Sequence, residues 1–91
     1  MEINEKTIYY AVVMNLSGLH AGLYRLKWDD EAEGFWDKRR DFGLDLKEIK
    51  KIAKGGKQQC GLKWLVYETK TEARAVHDAL SVYRDHLKEL M

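Results

Sequence analysis

The stretch of residues 60–91 constrains the fold most, because it predicts one apolar strand followed directly by one long amphipathic helix. Thr69 and Glu72 have the spacing of a capping box, which marks the start of the helix. No Gly or Pro follows, so about 20 residues, or about 30 Å, are predicted to be helical. Apolar residues recur every three or four positions and share one stripe: Ala73, Val76, Leu80, Tyr83, Leu87 and Leu90.

This apolar stripe allows two arrangements. The helix can lie on a sheet of its own chain, or it can form the seam of a helical dimer. A seam is persuasive when it extends over at least three or four heptads, and this stripe covers about three. We therefore favour packing on the chain's own sheet, and the chain is predicted to be a monomer or a homodimer.

Three segments have the composition of strands. Residues 7–16 are rich in β-branched and aromatic side chains, with Ile8, Tyr10 and Val12 on the face expected to meet the core. Residues 23–28 alternate between apolar and basic side chains, as a half-exposed strand does. Residues 62–67 form the apolar strand before the long helix. A shorter helix is predicted at residues 45–54, capped by Asp45 and ended by two glycines.

Residues 29–43 are compatible with two structures. Acids precede bases here, which suits the helix dipole, so we expect a short helix with Asp29 or Asp30 as its N-cap. The alternative is a turn at Glu33 and Gly34, which would make residues 35–42 a further strand of a meander. Residues 57–59 are expected to be a polar link.

The order of these segments predicts a single α+β domain over residues 1–91. A hairpin joins the first two strands, and a helical crossover brings the last strand beside the first. The result is a small, mostly antiparallel, three-stranded sheet of order 2-1-3, covered on one face by the long C-terminal helix and one or two shorter helices. The open face would then present an aromatic and basic mixture: Tyr9, Val13, Arg25, Lys27, Lys63, Leu65 and Tyr67.

Charge is unevenly distributed along a chain whose net charge is only +1. Residues 38–63 hold nine bases and three acids, whereas the segments on either side are net acidic. Such a basic block suits contacts with phosphates or with an acidic protein surface. The clustered bases of this block are Lys38, Arg39, Arg40, Lys50, Lys51 and Lys54.

The sequence gives little support for a catalytic site or a metal site. Cys60 is the only cysteine, and nothing places it beside His20 as a nucleophilic pair. His77, Ser81 and Asp85 are spaced along one helical face, but they are too few for a typical zinc site. We therefore expect no catalytic residue, metal or cofactor. The N-terminus does not have the pattern of a signal peptide, and a cytoplasmic location is expected.

These observations predict a non-enzymatic binding protein. Its format is that of a small adaptor or inhibitor, such as those encoded by phages. Docking would use the aromatic and basic surface, with another protein as the expected partner and no role for a membrane. The alternative is a nucleic-acid-binding protein that uses the basic segment 38–63.

Overall fold

A computed structural model of the chain describes residues 2–15, 20–39, 42–55, 57–59 and 62–90. These residues form an α+β fold in which an antiparallel sheet packs against helices. The elements are β1 (Tyr9–Asn15), β2 (His20–Asp29), β3 (Gly34–Trp36), β4 (Gly43–Leu44), α1 (Leu46–Gly55), β5 (Lys57–Gln59), β6 (Leu62–Tyr67) and α2 (Lys70–Leu90).

The sheet has the strand order β4-β3-β2-β1-β6-β5. Its centre, β2-β1-β6, is the predicted three-stranded order 2-1-3. The prediction of only three strands is wrong, because β3 and β4 extend the sheet on one side and β5 extends it on the other. These added strands have two or three residues each, which is too short for an alternating pattern to be recognised in sequence.

The helix expected within residues 29–43 is wrong. The chain turns over residues 30–33 and continues as β3, which begins at Gly34 and ends at Trp36, so the alternative of a turn followed by a strand over residues 35–42 is confirmed only in part. The Asp29 carboxylate accepts hydrogen bonds from the backbone N–H groups of Glu31 and Ala32, at 3.0 and 3.4 Å. It therefore closes a turn between β2 and β3 and does not cap a helix. Pairing of β3 with β2 then places Phe35 opposite Trp28, where the two rings meet edge to face at 5.2 Å.

Helices pack against both faces of the sheet, contrary to the prediction that all of them lie on one face and leave the other open. One face carries the main core, into which α1 contributes Ile49 and Ile52. Val12 points to the opposite face and is also fully buried, because α2 lies across β1, β2 and β6 on that side. The core cluster consists of Tyr9, Ala11, Leu26, Phe35, Leu44, Ile49, Ile52 and Val66.

Both helices begin at the predicted caps. Asp45 Oδ1 accepts from the Glu48 N–H at 2.7 Å, and Glu48 Oε1 accepts from the Asp45 N–H at 3.3 Å. Thr69 Oγ1 accepts from the Glu72 N–H at 3.2 Å and donates to Glu72 Oε1 at 2.9 Å. Neither helix in the described part of the chain combines the length and apolarity needed to cross a bilayer.

Candidate functional site

An open groove of about 630 Å³ lies where β2, β3 and the turns that follow them meet. It combines two indole rings with charges of both signs, and we call it the Trp36 groove. Its lining residues are Arg25, Lys27, Trp28, Asp29, Asp30, Glu31, Trp36, Asp37 and Lys38.

Trp36 owes its position to a glycine on the neighbouring strand. Trp36 pairs with Gly43 across the ladder between β3 and β4. A Cβ on Gly43 would come within 2.6–2.7 Å of three ring atoms of Trp36, so the indole must lie directly against the Gly43 backbone. Because Gly43 has no side chain, the indole can lie flat on its backbone. Trp36 remains half-buried at the side of the groove.

Two exposed bases lie beside this indole on β2. Lys27 is paired with Trp36 across the β2–β3 ladder, and Arg25, two residues away, points to the same face of the sheet. Both side chains are exposed, and no hydrogen bond or ion pair joins either of them to another described residue. Their charges therefore remain available to an incoming partner. Lys38, in the turn after β3, adds a third exposed base.

The acids of the groove are mostly engaged in holding its shape. Asp29 closes the β2–β3 turn, and Asp30 Oδ1 accepts from the Trp28 indole N–H at 2.8 Å. Asp37 is buried, and its Oδ2 accepts from Arg39 Nε and a terminal guanidinium nitrogen at 3.3 and 3.2 Å. The groove thus has two ends of different charge: Arg25 and Lys27 flank the indole on the strand, and Asp29, Asp30 and Glu31 lie at the β2–β3 turn.

The structure brings together only part of the predicted site. Arg25, Lys27 and Lys38 line the Trp36 groove. Tyr9, in contrast, has 0% of its surface exposed, and its ring meets Phe35 edge to face at 5.5 Å. The prediction that Tyr9 is a surface residue is wrong, because the β1–β2 register places it opposite Leu26 in the core.

Tyr67 and Lys63 lie on the α2 side of the sheet and are both half-buried. Burial raises the pKa of the Tyr67 hydroxyl above 10.0, and the nearby Glu72 carboxylate raises it further. Tyr67 therefore lies beside the first turn of α2, where base stacking on its ring is restricted. Lys63 is paired with Met14 at the other end of the ladder, away from the groove.

The remaining described bases of the predicted site lie on the α1 side of the sheet. Lys50, Lys51 and Lys54 are exposed on α1, whose inner residues belong to the core on the side away from Arg25. The guanidinium of Arg39 lies 5.1 Å from the ring centre of Tyr24. Arg40 lies outside the described residues. Lys38 lines the Trp36 groove and Lys63 lies on the α2 side, so the described bases of the segment 38–63 do not form one continuous surface.

A second, apolar depression of about 330 Å³ is lined by stacked aromatic rings. Tyr24 stacks on Phe42 at 4.5 Å, and Phe42 stacks on Trp64 at 4.8 Å. The Trp64 indole N–H is buried and has no hydrogen-bond partner among the described residues. Because that nitrogen is closed off from solvent, an incoming ligand cannot reach it, so we assign this stack to the core.

The residues examined for chemistry do not assemble into a reactive site. Ser81 Oγ donates to the His77 backbone carbonyl at 3.0 Å, along its own helix. The two ring nitrogens of His77 lie 3.2 Å from the Ala21 carbonyl and 3.3 Å from the Asp78 carboxylate. Cys60 lies outside the described residues. Within the described ranges, no three His, Cys, Asp or Glu side chains are grouped so that they could hold a metal ion.

Comparison with protein-family models, with curated proteins and with solved structures finds no match to this chain. Sequence reasoning missed Trp36 as a site residue. A signal was present, because Phe35 and Trp36 are adjacent in a strand and must point to opposite faces. If one is in the core, the other is at the surface.

Proposed function

We propose that this chain is a non-enzymatic binding protein, an adaptor or inhibitor, which docks on another protein through the Trp36 groove. The observation that carries the proposal is the half-buried indole of Trp36 flanked by the exposed bases Arg25 and Lys27, to which no described residue forms an ion pair. Tryptophan and arginine are the residues most enriched among those that dominate binding energy at protein interfaces. A rigid indole loses little conformational entropy when a partner covers it.

The carboxylates of the groove favour a protein over a nucleic acid as the partner. Asp30 and Glu31 are exposed, and Asp29 lies beside them in the same lining. A polyphosphate chain following the groove would meet these negative charges, and like charges brought together at an interface cost several kcal/mol. A protein segment can place an acid near Arg25 and Lys27 and a neutral or basic residue near the turn. The charges of such a segment are complementary to those at both ends of the Trp36 groove.

Nucleic-acid binding is the second candidate, and α1 provides the observation in its favour. Lys47, Lys50, Lys51 and Lys54 follow the spacing i, i+3, i+4, i+7 and are all exposed, so they form one basic stripe. A stripe of this kind can neutralise phosphates. The stripe has no exposed aromatic ring among the described residues of α1, so base stacking would have to come from elsewhere.

The proposal is tested by affinity capture from nuclease-treated extract of the source cells, with the partner identified by mass spectrometry. Wild-type chain is compared with Trp36→Ala and Lys27→Glu, and Lys54→Glu is the matched control because it makes the same charge change on α1. We expect one protein to be retained by the wild type and the control and lost from both groove variants. Its purified form should bind with an affinity that falls at least about tenfold on Trp36→Ala.

Retention of the same partner by Trp36→Ala would refute the groove as the docking site.

Mobility-shift titration at several salt concentrations tests the second candidate, nucleic-acid binding. Binding of nucleic acid that weakens steeply with salt and is lost when Lys50, Lys51 and Lys54 become Glu would replace the first proposal with the second.

A further inference from the structure

We infer that a second copy of this chain occupies the Trp36 groove, so that two chains associate face to face about a two-fold axis. Two features of the groove favour this occupant: the order of its charges along β2, and the turn that projects at one end. The surface is the one proposed for docking on another protein, but self-association does not require that function.

One end of the groove is basic. Arg25 and Lys27 lie two residues, or about 7 Å, apart on one face of β2. Because β3 runs antiparallel to β2 and pairs Trp36 with Lys27, the chain after Trp36 continues away from the β2–β3 turn and carries Lys38 towards the Arg25 end. All three basic side chains are exposed, and no described residue forms an ion pair with any of them.

The other end of the groove is acidic, and it projects. Residues 30–33 form the turn between β2 and β3, and all four are exposed. Three of them are acids: Asp30, Glu31 and Glu33. The turn begins about four residues, or about 13 Å, along β2 from the centre of the basic end. This separation exceeds the Debye length of about 8 Å at physiological salt, so the two ends keep distinct charges in the single chain.

The charges of the lining balance in number. Its bases are Arg25, Lys27 and Lys38, and its acids near the turn are Asp29, Asp30 and Glu31. The remaining acid of the lining, Asp37, is only 5% exposed and forms an ion pair with Arg39 at 3.2 Å. A surface that matches the groove must therefore present both an acidic end and a basic end.

A second copy presents these two ends in the required order. A two-fold rotation about an axis through the middle of the groove exchanges its ends, so the basic end of each chain lies against the acidic end of the other. Both contacts are then between opposite charges, which favours this orientation over one that brings like charges together. The exposed turn of each chain is the projecting element that enters beside the bases of the other.

Trp36 supplies the apolar part of the same contact. It pairs with Lys27, between Arg25 and the turn, and so lies close to the axis that exchanges the two ends. The two half-buried indoles therefore face each other, and a pair of aromatic rings adds to the stabilisation that their burial provides.

Self-association covers the surface that we propose for docking, so the two events exclude each other. The dimer is a form in which the docking site is closed. A partner protein must compete with the second copy, and its apparent affinity falls as the concentration of the chain rises.

The test is sedimentation velocity of the purified full chain at concentrations up to about 1 mM. We expect the mass to rise with concentration from the chain mass of 10.7 kDa towards twice that value. Reversal of the basic end, by Arg25→Glu with Lys27→Glu, should raise the dimer dissociation constant at least about tenfold. Reversal of the acidic end, by Glu31→Lys with Glu33→Lys, should do the same. All four side chains are exposed, so circular dichroism should show both variants folded.

Mixing the two reversed variants is the decisive measurement. Each end then meets an end of opposite charge again, so the acidic-end variant, labelled with a fluorophore at its α-amino group, should sediment as a dimer when the basic-end variant is added. Lys50→Glu with Lys54→Glu is the matched control, because it makes the same change of net charge on α1. Added to the labelled acidic-end variant, the control should leave it largely monomeric.

A wild-type mass that stays at one chain throughout the concentration range would overturn the inference and leave the docking proposal intact. So would a dimer that survives both reversals, or reversed variants that associate no more tightly than the acidic-end variant does with the α1 control. A wild-type dimer that behaves as expected but captures no other protein would keep the inference and count against docking.

Discussion

The indole of Trp36 rests on the backbone of Gly43, its partner across the β3–β4 ladder, where an added Cβ would come within 2.6 Å of the ring. Gly43→Ala must therefore displace the indole or separate the two strands. We expect a loss of about 1–3 kcal/mol in the free energy of unfolding, the usual cost of forcing a methyl group into an occupied space. Chemical denaturation followed by tryptophan fluorescence measures the loss. The same variant should lose the docking partner, since the ring has moved.

Gly55→Ala is the matched control for this prediction. A Cβ on Gly55 meets nothing within 4 Å, and alanine favours helix by about 1 kcal/mol relative to glycine. This variant should be as stable as the wild type or more so and should keep its partner. Equal behaviour of the two alanine variants would contradict the role given to Gly43.

Phe35 and Trp36 are adjacent but lie on opposite faces of the sheet. Truncation of Phe35 should mainly destabilise the fold, whereas truncation of Trp36 should mainly weaken docking. Phe35 is completely buried between Tyr9 and Trp28, so Phe35→Ala should cost about 3–5 kcal/mol of unfolding free energy. Trp36→Ala removes a half-buried ring and should cost clearly less while abolishing docking. Urea denaturation of both variants, beside partner binding of Trp36→Ala, separates the two roles. A Trp36→Ala protein that unfolds as readily as Phe35→Ala would make Trp36 a core residue.

The parts of the fold that could be predicted are those with strong local signals. Both helix starts follow from capping residues that bond to their own first turn, and the central strand order follows from connection rules applied to three apolar segments. The edge strands could not be predicted, because β4 and β5 pair through backbone groups and their short sequences have no apolar alternation.

The candidate site was predicted only in part, because register is not visible in a single sequence. Arg25 and Lys27 share a face by alternation alone, and that much was foreseeable. The uniformly apolar face of β1, with Ile8, Tyr10 and Val12, predicts that this face meets the core and leaves Tyr9 with Arg25 and Lys27. That prediction is wrong, because the main core lies on the Tyr9 side of the strand. Pairing of Tyr9 with Leu26 decides the question, and this pairing depends on the hairpin geometry.

Glu33 holds a backbone conformation that glycine would adopt at lower cost. Its φ is 51°, in the left-handed region that costs a side-chain-bearing residue roughly 1 kcal/mol. Glu33 is exposed, so Glu33→Gly should raise the free energy of unfolding by about 0.5–1 kcal/mol. Ala32→Gly, in the same turn but without a positive φ, should lower it by a similar amount. Thermal denaturation of both variants gives the comparison, and destabilisation of both would argue against strain at Glu33.

Tyr67 should make the fold sensitive to alkaline pH. Burial and the Glu72 carboxylate raise its pKa above 10.0 in the folded chain, so the folded state retains the hydroxyl proton more strongly than the unfolded state. This contribution to stability is complete below about pH 10 and is lost as the pH rises through the folded-state pKa. Tyr67→Phe removes the titrating group, and its unfolding free energy should fall less steeply than that of the wild type above pH 10.

Glu72→Gln should lower the Tyr67 pKa, as measured by tyrosinate absorbance. Glu89→Gln, the same change about 25 Å along α2, lies beyond effective electrostatic range and should not. Identical alkaline slopes for Tyr67→Phe and the wild type would show that the hydroxyl is not shielded by the first turn of α2.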